Sequence, residues 1–306
     1  MDIKCNLILD SCCDLPHDVV NRDGVYLLNF PYFDNEGEHL DDLYQTQSAH
    51  DFFESMRNGN EPHTAQVPMP AIQKAYQWAI DQGVPTVYLS FSSGLSGTYD
   101  TAAMLLEQMK ADNPEIELYI VDTKLASVAE ALLVYEALNQ REKGLTAQEM
   151  VTWAEEVRYF VDAQFMVDDL EALRRGGRIP SSVAFAGSKL DVKPLLGIDM
   201  EGKLALTGVA RGRKKGVKSL VDYWKKRRAD EGPVQNGGGV ALQGVSPQPA
   251  APVRPDLLSG VPGRGEAGRR AGAQLHRDHP HLPDLHRRGA RPAAGTAGAD
   301  RIGQTS

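Results

Sequence analysis

Short apolar runs alternate with stretches of helical spacing along the first 231 residues of this 306-residue chain. The apolar runs, which predict strands, are residues 3–9, 25–30, 86–91, 116–121 and 160–167. The stretches with helical spacing are residues 48–57, 70–81, 98–110, 127–143 and 146–158. Because strands that alternate with helices usually join into a parallel sheet, this pattern predicts an α/β fold with parallel-rich sheets flanked by helices.

Capping and turn signals add further elements. Thr146 and Glu149 form the capping-box pattern, which satisfies two free N–H groups at a helix start. Later helices are predicted over residues 169–175 and 213–228. Between them, a turn at residues 199–202 is expected to join two short strands.

Residues 232–306 differ in composition from the rest of the chain. They hold 14 of the 29 glycines and nine of the 18 prolines, and no lysine, methionine, cysteine or aromatic residue. A segment this poor in apolar bulk cannot bury enough surface to offset chain entropy. It is either a natural disordered tail or a stretch translated in the wrong frame of a GC-rich gene, whose codons favour glycine, alanine, arginine and proline. We favour the second interpretation.

The chain carries more acidic than basic residues, with a net charge of −8. This balance argues against nucleic acid as a partner. No run approaches the ~18 consecutive apolar residues of a membrane helix, and no basic segment precedes a long apolar core at the N-terminus. We therefore expect a cytoplasmic protein without stable membrane insertion. Cys5, Cys12 and Cys13 lack metal-ligand spacing, which predicts reduced thiols, with a redox role for the adjacent pair as the alternative.

The segment SFSSGLSGTYDTA, residues 90–102, lies at the end of an apolar run and could serve several chemistries. A hydrolase elbow needs G-x-S-x-G, but Thr98 stands where the second glycine belongs. A phosphate-binding Walker loop needs a lysine directly after its second glycine, and no lysine follows Gly97. A helix start near Ser96 would attract an anion through its free N–H groups, whereas the simpler alternative is that Ser96 only caps the helix. A hydrolase or transferase that uses a serine of residues 92–96 remains the competing function.

Six motifs in this order resemble the DegV family of bacterial fatty-acid-binding proteins. They are D-S-x-x-D-L-P at residues 10–16, T-A-Q at 64–66, S-S-G-L-S-G-T-Y at 92–99, L-R-R-G-G-R-I at 173–179, K-P at 193–194 and G-K at 202–203. Arg211 fits a later arginine of the family. The resemblance covers residues 1 to about 225.

The resemblance implies a carrier and not an enzyme. It implies two α/β lobes, residues 1–159 and an incomplete second lobe over residues 160–231. Family members hold a long-chain fatty acid between the lobes, and some present its carboxylate to a separate kinase that makes acyl phosphate for phospholipid synthesis. The implied partners are therefore a fatty acid and a fatty acid kinase, with no catalytic residue, metal or cofactor.

The family's site residues are carried over onto matching positions of this chain. Thr64 and Ser96 match the hydroxyls that bind the carboxylate. The positions that support this loop correspond to Ser93, Gly97 and Thr98. Arg178 and Arg211 match arginines that would face the partner or the phosphate.

The chain departs from the family pattern at two places. Ala65 and Val67 replace the usual serine and proline of the first loop. The family's C-terminal Gly-Ala-His segment, whose histidine lies near the carboxylate, is missing from residues 232–306. Residues 284–291, translated from the second base of each codon, permit Val-Gly-Ala-His, which agrees with the frame hypothesis. A restored frame is then expected to fold more stably and retain more lipid.

Overall fold

The computed structural model describes residues 2–168, 170–179 and 191–227. Within these ranges the strands are β1 (Asn6–Asp10), β2 (Val25–Leu28), β3 (Pro31–Asp34), β4 (Gly37–Leu40), β5 (His63–Thr64), β6 (Thr86–Ser90), β7 (Leu118–Asp122), β8 (Gln164–Met166), β9 (Val192–Ile198) and β10 (Leu204–Arg211). The helices are α1 (His17–Val20), α2 (Ala49–Arg57), α3 (Met69–Gln82), α4 (Thr98–Asp112), α5 (Ser127–Glu142), α6 (Ala147–Val157), α7 (Glu171–Arg175) and α8 (Arg213–Arg227). In the described parts of the chain, no helix is long and apolar enough to cross a membrane.

A four-stranded parallel sheet in the order β2-β1-β6-β7 forms the main core. Every residue of β1 and β6 is buried, because helices cover both faces of the sheet. Leu7 and Leu9 point to the face covered by α5 and α6, whereas Ile8 and Tyr88 point to the face covered by α3 and α4. The strict alternation of strand side chains thus divides one apolar run between two cores. The predicted parallel sheet is confirmed.

Two smaller sheets are antiparallel, in the orders β4-β3-β5 and β10-β9-β8. The parallel pairing predicted from the alternation of strands and helices is thus that of the main sheet. Short turns join β3 to β4 and β9 to β10, and a short turn can connect only antiparallel neighbours. The turn predicted at residues 199–202 does join β9 to β10, and Gly202 adopts a left-handed φ of 78° there. Helix α8 packs on this sheet through Leu220, against Met166 and Leu195.

The predicted boundaries differ from the observed ones mainly where apolar residues lie at the surface. Ile3 is 46% exposed, and β1 begins only at Asn6. Phe160 is 45% exposed, so the predicted strand over residues 160–167 shortens to β8. The five helices predicted over residues 48–158 are confirmed within two residues at each end. Asp169, Arg228 and the tail from residue 232 lie outside the described residues, and the division into lobes at residue 159 remains a prediction.

The capping box at the start of α6 gives a direct stability prediction. Thr146 Oγ1 accepts a hydrogen bond from the Glu149 N–H, and a Glu149 carboxylate oxygen accepts one from the Thr146 N–H. Thr146→Ala should therefore lower the free energy of unfolding by about 1 kcal/mol, measured by urea denaturation. Thr152→Ala, an exposed change within the same helix, is the control and should alter it by less than about 0.5 kcal/mol. Equal effects of the two variants would contradict the capping role.

Candidate functional site

The order of the parallel sheet marks one place for a ligand. After β1 the chain continues to β2 on one side, whereas β6 is followed by β7 on the other side. In open α/β sheets, ligands bind outside the carboxyl ends of the strands at the point where the order reverses. Here that point lies between β1 and β6, and the segment that leaves it is residues 91–97, which we call the serine loop.

Asp10, the last residue of β1, holds the start of the serine loop. Its carboxylate accepts a hydrogen bond of 2.6 Å from the Phe91 N–H and one of 2.7 Å from the Tyr88 hydroxyl. Burial raises the pKa of Asp10 to about 7, and these two donors act in the opposite direction. The D-S-x-x-D-L-P motif therefore anchors the loop through a fully buried aspartate.

Asp122, at the end of β7, holds the middle of the loop. It accepts a hydrogen bond of 3.1 Å from the Ser93 N–H, and its other oxygen lies 2.7 Å from Lys124 Nζ. Lys124 Nζ also donates to Ser93 Oγ over 2.9 Å. Burial alone would raise the pKa of Asp122, but the donors of Lys124 and Ser93 outweigh it and lower the pKa.

Ser96 lies at the start of α4, but it is not the N-cap that the simpler alternative proposed. Gly97 occupies that position, and Ser96 Oγ accepts a hydrogen bond of 3.2 Å from the Thr98 N–H. The hydroxyls of Ser96 and Thr98 are 3.0 Å apart. Thr98 is fully buried and its oxygen also accepts from the Val67 N–H, over 3.1 Å. A serine and a threonine thus define the helix start together.

The loop that carries Thr64 lies against the serine loop. Thr64 is exposed in the two-residue strand β5, which pairs with β3. Two residues later, the Gln66 side chain occupies the space where a Cβ on Gly97 would lie. A Cβ at Gly97 would therefore have to displace the end of the Gln66 side chain. The next residue, Val67, donates its backbone N–H to the Thr98 hydroxyl. The Thr64 loop therefore contacts the start of α4 through Gln66 and Val67.

The two predicted arginines lie in different settings. Arg178 follows α7 and Gly177, and its Nε donates to the carbonyl of Leu95 in the serine loop over 3.1 Å. Arg211 is exposed at the end of β10. Within the described ranges, the Arg211 side chain makes no hydrogen bond or ion pair. The structure therefore brings Arg178 to the loop and leaves the role of Arg211 as a prediction.

The competing catalytic interpretation needs a base beside a serine. Among residues 2–168, 170–179 and 191–227, no histidine is hydrogen-bonded to a hydroxyl of the serine loop. His39 instead lies 2.8 Å from Asp34, and His63 stacks on Phe33. In the same ranges, no group of three or more histidine, cysteine or acidic side chains is arranged to hold a metal ion. In the described residues, the basic group bonded to a hydroxyl of the serine loop is Lys124, whose Nζ donates to Ser93 Oγ and pairs with Asp122.

Comparison with known proteins agrees with this arrangement. The family model described as "Uncharacterised protein, DegV family" matches residues 4–240. The chain belongs to the DegV family. A DegV domain-containing protein of Clostridium perfringens is 34% identical over 221 residues, which cover 72% of this chain and 76% of the relative. The family match thus extends beyond the 225 residues over which the motifs resemble it.

Solved structures of DegV proteins share the fold. A fatty acid-binding DegV family protein from Thermus thermophilus superposes with a TM-score of 0.62 at 27% identity, over 76% of this chain and 79% of that one. A DegV lipid binding protein from Thermotoga maritima has a TM-score of 0.62 at 26% identity, over 73% and 77% of the two chains. The α/β fold predicted from the sequence is therefore confirmed as a DegV fold.

Sequence reasoning missed three features of this DegV site. The β9–β10 turn rests on the serine loop, where a Cβ on Gly94 would lie 2.7 Å from the carbonyl of Gly202. Lys124, also missed, follows the β7 strand with a left-handed φ of 58°. Glu130 in α5 is fully buried, and neither carboxylate oxygen has a hydrogen-bond partner within the described ranges. Only the contact between the turn and the loop left a signal in the sequence, namely the motif glycines Gly94 and Gly202.

Proposed function

We propose that this DegV family protein binds a long-chain fatty acid and holds its carboxylate at the serine loop. The observation that carries the proposal is the convergence of Ser96, the Thr64 loop and Arg178 at the switch point of the parallel sheet. The Thermus and Thermotoga structures, described as those of fatty acid-binding and lipid-binding proteins, support the ligand class.

The protons around Ser96 favour its role as a donor. The Thr98 hydroxyl is buried, and Ser96 Oγ is the only acceptor within reach of its proton in the described residues. Ser96 Oγ then accepts from both the N–H and the hydroxyl of Thr98, which leaves its own proton free to point elsewhere. A carboxylate placed at the positive end of α4 would take that proton in a charge-assisted hydrogen bond.

The rest of the ligand is an alkyl chain, which binds through the hydrophobic effect. Each buried methylene contributes about 0.8 kcal/mol, so an acid of sixteen to eighteen carbons would gain far more from its chain than from its head group. The polar loop therefore orients the acid and sets its register. We propose that a separate kinase then meets the exposed head group, with Arg178 and Arg211 facing the kinase or the phosphate.

The nature of a co-purifying ligand tests this function. Organic extraction of the purified protein, followed by mass spectrometry, should release a fatty acid in the range of C16 to C18. A parallel sample is treated with a fluorophosphonate probe, which labels activated serines. Labelling of a serine in residues 92–96, with no extracted acid, would contradict the carrier function and favour the hydrolase or transferase.

Removal of the proposed carboxylate donors should weaken binding of the acid. Ser96→Ala and Thr64→Val should each lower fatty acid affinity by about tenfold, the typical loss of one hydrogen bond to a charged group. Displacement of a fluorescent fatty acid measures this. Ser219→Ala, which removes an exposed hydroxyl on α8, is the control and should leave affinity unchanged. Wild-type affinity in both loop variants would show that the carboxylate binds elsewhere.

A further inference from the structure

Ser92 makes an unusual number of contacts for a small residue of a binding loop. It is fully buried, and its backbone and side chain together take part in five hydrogen bonds. Their partners are Leu125 O at 3.1 Å, Leu95 N at 3.1 Å, Ser96 N at 3.2 Å, Gly202 O at 2.8 Å and Gly94 N at 3.1 Å. Ser92 thus connects the serine loop to the segment just before α5 and to the β9–β10 turn.

The hydroxyl of Ser92 both donates and accepts a hydrogen bond in this arrangement. Its proton is donated to the Gly202 carbonyl, and its oxygen accepts from the Gly94 N–H. A hydroxyl that donates to a backbone carbonyl has no base to remove its proton, so it is not a nucleophile. Its chemistry is to join two backbone segments that lie 110 residues apart in the sequence.

The backbone of Ser92 connects these contacts to Ser96. The Ser92 carbonyl accepts from the N–H of Ser96, so the position of the Ser92 peptide fixes the position of Ser96. The side-chain bond to Gly202 in turn holds the Ser92 peptide in place. Movement of the Ser92 hydroxyl would therefore shift Ser96, although Ser92 itself is buried beneath the surface that meets a ligand.

We propose that Ser92 is a positioning residue, which locks the serine loop onto the β9–β10 turn and thereby aims the Ser96 hydroxyl at the ligand's carboxylate. This inference rests on the proposed function, because it needs a carboxylate at Ser96. It differs from a purely structural role in one respect. A positioning role affects the recognition of the charged head group and leaves the binding of the alkyl chain unchanged.

The test compares a fatty acid with the fatty alcohol of the same chain length. Ser92→Ala should weaken binding of palmitic acid by about tenfold, the typical loss of one charge-assisted hydrogen bond, and change binding of hexadecanol by less than about twofold. Ser219→Ala should change neither affinity. If Ser92→Ala does not fold, Ser92→Cys keeps a weak donor at the same position and is tested in the same way.

The outcomes separate the two proposals. Equal losses for acid and alcohol, unchanged affinity for both, or failure of both variants to fold would show that Ser92 is structural or dispensable, and would overturn the inference alone. A wild-type protein that binds neither ligand, or binds acid and alcohol equally well, would overturn the proposed function and this inference with it.

Discussion

Glu130→Gln is expected to make the protein more stable than the wild type at pH 8 and to change its stability little at pH 4.5. Glu130 is fully buried in α5, and its carboxylate oxygens have no hydrogen-bond partner in the described part of the chain. Burial, together with the nearby charges of Asp10, Asp14 and Asp122, raises its pKa well above the usual value. The folded protein therefore keeps a proton that the unfolded chain releases.

The sign of the pH effect follows from this difference. Below about pH 4.5 both states of the wild type are protonated at Glu130, and its contribution to stability is fully present. As the pH rises towards the raised pKa of the folded state, that contribution is lost at about 1.4 kcal/mol per pH unit. Glutamine resembles the protonated acid in shape and cannot ionise, so the variant avoids this loss.

Urea denaturation from pH 4.5 to pH 8 measures the effect. The difference in unfolding free energy between variant and wild type should grow with pH and favour the variant. Glu142→Gln on the same helix is the matched control, because Glu142 is half-exposed and pairs with Arg22 at the surface. Its effect should stay within about 1 kcal/mol at every pH. A Glu130→Gln protein that is less stable at pH 8 would mean that the native carboxylate is ionised and bound.

Gly94→Ala is expected to cost about 3 kcal/mol of stability and to weaken fatty acid binding as well. A Cβ at this position would lie 2.7 Å from the backbone of Gly202 and 2.8 Å from the carbonyl of Glu201. Backbone atoms cannot rotate away as the end of a side chain can. The serine loop and the β9–β10 turn must therefore separate, which also breaks the bond between Ser92 and Gly202.

A second glycine offers a matched comparison. Neither Gly94 nor Gly208 has a left-handed φ, so alanine strains the backbone at neither position. At Gly208 the nearest atom to a new Cβ is Leu195 Cδ1 at 3.8 Å, an ordinary contact. Thermal unfolding should therefore show a large loss for Gly94→Ala and almost none for Gly208→Ala. Equal midpoints for the two variants would mean that the loop and the turn do not touch in solution.

Local sequence patterns predicted the main sheet and its helices because those elements bury regular apolar faces. The capping box at Thr146 was visible because its two partners are only three residues apart. The β3–β4 hairpin was missed, since its turn is polar and β4 is almost entirely exposed. The antiparallel pairing of β8 with β9 was missed for another reason: strand direction depends on connections that a periodic pattern does not encode.

The candidate site was predictable only in part. Family motifs pointed to Thr64, Ser96 and Arg178, but the anchoring of the loop by Asp10 and Asp122 depends on which strands are neighbours. Glu130 gave no signal, because an acidic residue in the first turn of a helix is typical of an exposed position. Its burial results from the packing of α5 against the residues that follow β1.

The strand order also determines when a growing chain can first bind its ligand. Strand β1 is synthesised early but pairs with β6, so the central sheet must wait until the loop between them closes. Asp10 can then hold the start of the serine loop, but the middle of the loop gains its hydrogen bonds only when Asp122 and Lys124 follow. Ser92 gains its last partner only when Gly202 leaves the ribosome. On the proposed function, a fatty acid therefore has no finished head-group site until Gly202 has emerged, and ligand capture should be a late step of folding.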